Sequence, residues 1–95
     1  MTLDRTTTLW RAQDVLTAEI DDELAMMSMQ SGTYVNLDAI GKRIWTLLET
    51  PITVAALCQQ LVQEFDVPLE TCEQDVLAFL EELHTQQVIQ QFDVA

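Results

Sequence analysis

A chain of 95 residues, 48% of them apolar, is enough for one domain around a single core and too short for a second. Sixteen acidic side chains against four basic ones give a net charge of -12, which repels phosphate backbones, disfavours nucleic-acid binding and attracts a basic partner. No run of about 18 apolar residues occurs and Met1 to Trp10 lacks the apolar heart of a signal peptide, so neither a membrane span nor secretion is expected, and the cytoplasm is the default location.

Residues 1–12, with Thr6, Thr7 and Thr8, carry no clear period. They read as a flexible N-terminal arm, or as an ill-defined first strand, ahead of a domain over residues 13–92. Val15 to Ile20 alternates, with Leu16, Ala18 and Ile20 on one face and Val15, Thr17 and Glu19 on the other. Asp21-Asp22 is a turn signal, Leu24 to Met29 a second apolar run, and Gln30-Ser31-Gly32 another turn. Thr33 to Leu37 makes a third strand with Val35 and Leu37 sharing a face. Tight turns between three runs predict an antiparallel meander.

The period then becomes helical. Asp38 is placed as an N-cap for a helix with a stripe of Ile40, Ile44, Leu47 and Leu48, and Trp45 beside it in the core. Thr50-Pro51 ends that helix. Thr53 caps a second helix with Leu57, Cys58, Leu61, Val62 and Phe65 as its stripe. The third helix starts either at a capping box of Thr71 and Gln74 or a turn earlier at Pro68, and places Cys72, Val76, Leu77, Phe79, Leu80 and Leu83 at its apolar positions. Val88 to Phe92 reads as a short closing strand. The fold class is therefore α+β: a three-stranded antiparallel sheet packed on three helices, like a winged helix-turn-helix.

Little in the chain points to catalysis, and neither a cofactor nor a metal is expected. His84, the single histidine, sits near a helix C-terminus, where a cation has an ordinary structural role, and no motif ties a nucleophile to it. Glu81-Glu82 and Asp21-Asp22 are adjacent pairs that diverge on a helix or strand and read as solvated surface. Met26 points away from Met27 and Met29, which does not suit convergent ligation. Cys58 and Cys72 read as small buried thiols, with a disulfide as the alternative and no spacing for zinc. An acyl carrier would need a serine opening a helix, whereas Ser28 and Ser31 fall among the strands.

The stretch Tyr34-Val35-Asn36-Leu37-Asp38-Ala39-Ile40-Gly41-Lys42-Arg43-Ile44-Trp45 resembles a pattern of PqqD-like proteins, the peptide chaperones related to the RiPP recognition elements. Thr53 to Phe65, Asp75 to Leu83 and Val88-Ile89 resemble that family's later helices and closing segment, so the likeness spans Val15 to Ile89. Asp38 stands where the family usually has asparagine; both cap helices. The resemblance implies that the leader segment of a ribosomally made precursor peptide binds as an added strand on the third strand, beside the third helix. It implies edge-strand main chain at Thr33, Tyr34, Val35 and Asn36, and a helical wall of Asp75, Val76, Phe79 and Glu82. Val76 and Phe79 would form an apolar pocket, or ordinary core; Asp75 and Glu82 would meet lysine or arginine. No specific role is expected for Lys42 or Arg43. The chain looks most like the free-standing, non-catalytic leader-binding proteins of lasso-peptide pathways, whose partners are a leader peptidase and a cyclase. An open edge strand also offers a route to a homodimer. The alternative is a winged-helix DNA-binding regulator, but Thr71 to Thr85 contains no lysine or arginine.

Overall fold

A computed structural model describes residues 3–92. In chain order the elements are β1 (Thr8–Arg11), β2 (Val15–Ile20), β3 (Glu23–Ser28), β4 (Tyr34–Leu37), α1 (Ala39–Leu47), β5 (Ile52–Thr53), α2 (Val54–Glu64), α3 (Leu69–Thr85) and β6 (Ile89–Gln91). The class is α+β as expected, with a second small sheet that the sequence did not reveal. The meander β2-β3-β4 is antiparallel, and a separate antiparallel sheet has the order β5-β1-β6.

The turns and caps follow local chemistry. Asp21 turns the first hairpin at φ +56°, a left-handed conformation that aspartate tolerates. Gly32 turns the second at φ +70°, where a side chain would be strained although the space around it is open. Buried Ser28 staples that turn, its Oγ accepting from the main-chain N–H groups of Gln30 at 3.2 Å and Ser31 at 3.3 Å. Asp38 accepts from Gly41 N at 2.9 Å and Thr53 from Ala56 N at 3.1 Å, so both expected N-caps form. The Thr71–Gln74 capping box does not. α3 begins at Leu69, with Cys72 N bonded to Pro68 O; the fixed φ of proline opens the helix one turn earlier.

The flexible arm expected over residues 1–12 is corrected by the structure over residues 3–12, residues 1 and 2 lying outside those described, and the first-strand alternative holds. β1 is the middle strand of its sheet, Leu9 is fully buried and Leu3 joins the same core. Arg11 lays its guanidinium over the Trp45 ring, 4.6 Å from the centroid, and donates to Trp45 O at 2.8 and 3.0 Å. Arg5 O and Thr7 O accept from Ala55 N and Val54 N, satisfying donors at the start of α2.

Trp45 is core, as expected. Cys58 and Cys72 are free, buried thiols on neighbouring helices, and Cys72 Sγ lies 3.9 Å from Cys58 O. Burial pushes the Cys58 thiol up to about 12, and burial raises Cys72 as well.

Lys42 and Arg43, for which the sequence suggested no role, tie α1 to its neighbours. Lys42 Nζ lies 3.2 Å from Glu19 of β2, and Arg43 forks onto Glu64 of α2 with two contacts of 2.7 Å. Hydrogen bonds from Arg43 and then Gln60 hold the Glu64 carboxyl down at about 2. A depressed folded-state pKa stabilises above the group's ordinary value and loses that contribution as pH falls through the folded value. The Arg43–Glu64 contribution is thus complete above about pH 4.5 and gone below about pH 2. In Arg43→Gln, an NMR titration should find the Glu64 carboxyl returned toward 4.5; an unmoved titration would mean the fork does not form in solution.

Candidate functional site

The meander leaves β4 with a neighbour on one side only. Its pairing with β3 fixes which main-chain groups are open. Ser28 N donates to Thr33 O at 3.2 Å, and the register pairs Met26 with Val35 and Leu24 with Leu37. Bonded pairs alternate with non-bonded ones in an antiparallel ladder, so Thr33, Val35 and Leu37 direct their main-chain groups at β3. Tyr34 and Asn36 direct theirs outward. The four edge positions expected from sequence are thereby corrected to two. Thr33 lies in the turn, its hydroxyl 2.7 Å from that of Ser31, and Val35 packs on the core.

A groove of about 340 Å³ adjoins this edge, lined by Asn36, Asp38, Ile40, Gly41, Ile44, Asp75, Val76 and Phe79. Capped α1 starts immediately after β4, which brings Ile40 and Gly41 beside the edge. On α3 the spacing of Asp75, Val76 and Phe79 aligns them on the facing wall. Val76 is 5% exposed and serves as both core and floor; Phe79 is half-buried with its ring in the groove. A second apolar hollow of about 300 Å³ shares Ile40, Asp75 and Val76 and adds Leu61, Phe65, Asp66, Val67 and Cys72. The two form a trough with an apolar floor and carboxylates at Asp38, Asp66 and Asp75. One oxygen of Asp38 is engaged by its helix cap.

The structure brings together Asn36, Asp75, Val76 and Phe79 of the expected residues, with Tyr34 beside them on the open edge. It does not bring in Glu82, which lies farther along α3, exposed and 3.5 Å from Gln86 Nε2. The sequence reading missed Ile40, Gly41 and Ile44 as groove residues, and Phe65 and Val67 as walls of the second hollow. Ile40 is 49% exposed, where a stripe residue would be covered, and only the fold shows it.

Gly41 sets the width of the groove. A Cβ there would lie 3.1 Å from Leu37 Cβ and 3.2 Å from Phe79 Cζ. Alanine gains about 1 kcal/mol of helix propensity, while overpacking costs about 1–3 kcal/mol. The strand holds Leu37, so the Phe79 ring must give. Gly41→Ala should therefore displace the Phe79 ring resonances and leave the protein slightly less stable in a thermal melt. Unmoved ring resonances would show that Gly41 does not set the gap.

A larger hollow of about 470 Å³ lies at the far end of α3, among Gln13, Gln30, Gln87, Gln90 and His84. Its lining is mostly polar, with Ala12 and Ile89 the apolar members and no cysteine or serine, so it is less suited to gripping side chains than the trough. Among the described residues no group of three or more His, Cys, Asp or Glu is placed to hold a metal ion, and no helix is long and apolar enough to cross a membrane.

The chain matches the family model for coenzyme PQQ synthesis protein D, PqqD, over residues 23–89. No curated protein matches it. Among solved structures it is similar to TbiB1 in complex with the TbiA(beta) leader peptide, with 33% identity and a TM-score of 0.78. That similarity covers 88% of this chain and 98% of the other. The family match starts at β3 and runs through the open edge and all three helices to β6, so the elements that build the trough are those the family defines. The chain belongs to the PqqD family, the group that includes the RiPP recognition elements.

Proposed function

We propose that this protein binds the leader segment of a ribosomally synthesised precursor peptide as an added strand on β4. It acts without chemistry of its own, handing the leader to a leader peptidase and a cyclase of a lasso-peptide pathway. The observation that carries the reading is the open main chain of Tyr34 and Asn36 beside an apolar trough. β-Augmentation uses these two parts: main-chain bonds supply affinity, and pockets for alternate side chains supply choice. Apolar leader side chains would enter beside Phe79 and Val76, and a leader lysine or arginine would meet Asp75. The similarity to TbiB1, seen with a leader peptide, supports the same reading.

The DNA-binding alternative fares poorly. α3, the counterpart of a recognition helix, presents exposed Glu70, Asp75, Glu81 and Glu82 and no basic residue except His84, which would bring carboxylates against phosphates.

Titration calorimetry with the leader of the precursor encoded beside this gene should give saturable binding that weakens as salt is added. Phe79→Ala should weaken it by about tenfold or more, as for a central interface aromatic, and Asp75→Ala by less. A melt of each variant checks the fold. Absence of binding by the unaltered protein would end the proposal.

A further inference from the structure

Gln87 holds a backbone conformation made for glycine. α3 closes in a Schellman turn, with Val88 N donating to Leu83 O at 3.2 Å and Gln87 N to His84 O at 3.0 Å. That turn sets Gln87 at φ +64°, in the left-handed region. A glutamine there costs backbone energy, and its side chain makes no hydrogen bond among the described residues. It lines instead the hollow of about 470 Å³ at the end of α3. A side chain kept against the preference of its backbone points to a use. Gln13, Asp14, Gln30 and His84 line the same hollow, and their side chains also lack a polar partner among the described residues.

The hollow is continuous with the trough. Phe79, Glu82 and Gln86 follow at helical spacing from the groove toward the end of α3, with Glu82 3.5 Å from Gln86. There Ser31 Oγ donates to Gln86 O at 3.2 Å, tying the turn before β4 to the helix. The residue next to each member of that tie, Gln30 and Gln87, lines the hollow. A strand residue advances about 3.4 Å, so a peptide on β4 arrives there within a few residues of passing Tyr34. Main chain is open there as well. Ala12 N donates to Val88 O and Phe92 N to Thr8 O, so Ile89 and Gln91 turn their main-chain groups away from β1. β6 is an edge of its sheet, and Ile89 lines the hollow.

We propose that this hollow is a second peptide site. It holds the stretch of precursor that adjoins the β4-bound strand at the Tyr34 end, a polar stretch that carries a lysine or arginine. The inference rests on the peptide-binding reading. Carboxamides both donate and accept, which suits main chain and polar side chains better than apolar anchors. Charge selects the basic residue. Asp14 offers a carboxylate, the negative end of the α3 dipole lines the same hollow, and Glu82 stands on the way. His84, which can carry positive charge, sits in the last turn of α3, where the helix end offsets it.

The test uses the full chain with two variants, Gln87→Gly and Asp14→Asn. Calorimetry measures binding of the whole precursor encoded beside this gene, and of the same precursor shortened from each end to the last form that still binds. Gln87→Gly removes the side chain and relaxes the backbone, so the melting temperature should hold or rise while Kd for the whole precursor rises about threefold or more. Asp14→Asn should weaken binding by a similar factor and flatten its dependence on salt. One shortened precursor should bind the unaltered protein more weakly and no longer distinguish it from the variants. Full affinity of both variants for the whole precursor overturns the second site. A loss of affinity that persists with both shortened forms also overturns it, because the variants then act through the trough or the fold. Failure of the unaltered protein to bind the whole precursor overturns the peptide reading and the second site with it.

Discussion

A chain truncated to begin at Ala12 should fail to fold. The lost segment holds β1, the strand between β5 and β6, so both neighbours would be left without a partner. β5 has two residues and β6 three, too few to pair stably without it. Removal also strips fully buried Leu9 and nearly buried Leu3 from the core, uncovers the Trp45 ring, and leaves Val54 N and Ala55 N without their acceptors. Leu9→Ala alone should cost about 2–5 kcal/mol, a large share of the roughly 5–15 kcal/mol that holds a domain of this kind together. Urea unfolding followed by circular dichroism measures both. A truncated protein that still unfolds cooperatively at nearly the original midpoint would restore the description of residues 1–12 as an appendage.

Asn36→Pro should abolish leader binding and leave the domain folded. The outcome follows from strand parity. The Asn36 N–H points away from β3, so proline there removes a donor that no internal partner uses and sets its ring against the incoming strand. Val35→Pro is the control one residue away. It removes a donor that faces β3, breaks the ladder and should lower the melting temperature. Loss of one bond at an edge is worth about 1 kcal/mol, and steric blocking of the added strand takes the effect beyond tenfold in Kd. If Asn36→Pro binds the leader normally while Val35→Pro remains stable, the parity is reversed and the open edge belongs to the odd-numbered residues.

The parts of this fold that were legible are those fixed by neighbours in sequence. The turns at Asp21-Asp22 and at Gln30 to Gly32, and the caps at Asp38 and Thr53, each depend on residues within four positions, and each was readable. β1 was readable only as one of two alternatives, because its pairing joins Leu9 to Ile52 and Gln91, and four residues with one buried leucine leave no period to detect. The start of α3 was left open between Thr71 and Pro68 because two adequate signals competed, and proline prevailed. At the site, Asp75, Val76 and Phe79 were expected from the family resemblance, with helical spacing aligning them on one wall. Glu82 extended the same stripe past the end of the groove. Ile40 and Phe65 were read only as stripe residues because periodicity identifies a face without saying what stands opposite it; here a trough does.

The two sequestered thiols have a practical consequence. Alkylating reagents attack the thiolate, and fully buried Cys58, pushed up to about 12, offers almost none while the protein is folded. Iodoacetamide uptake at Cys58 therefore counts opening events, so the native chain carries its own clock for unfolding.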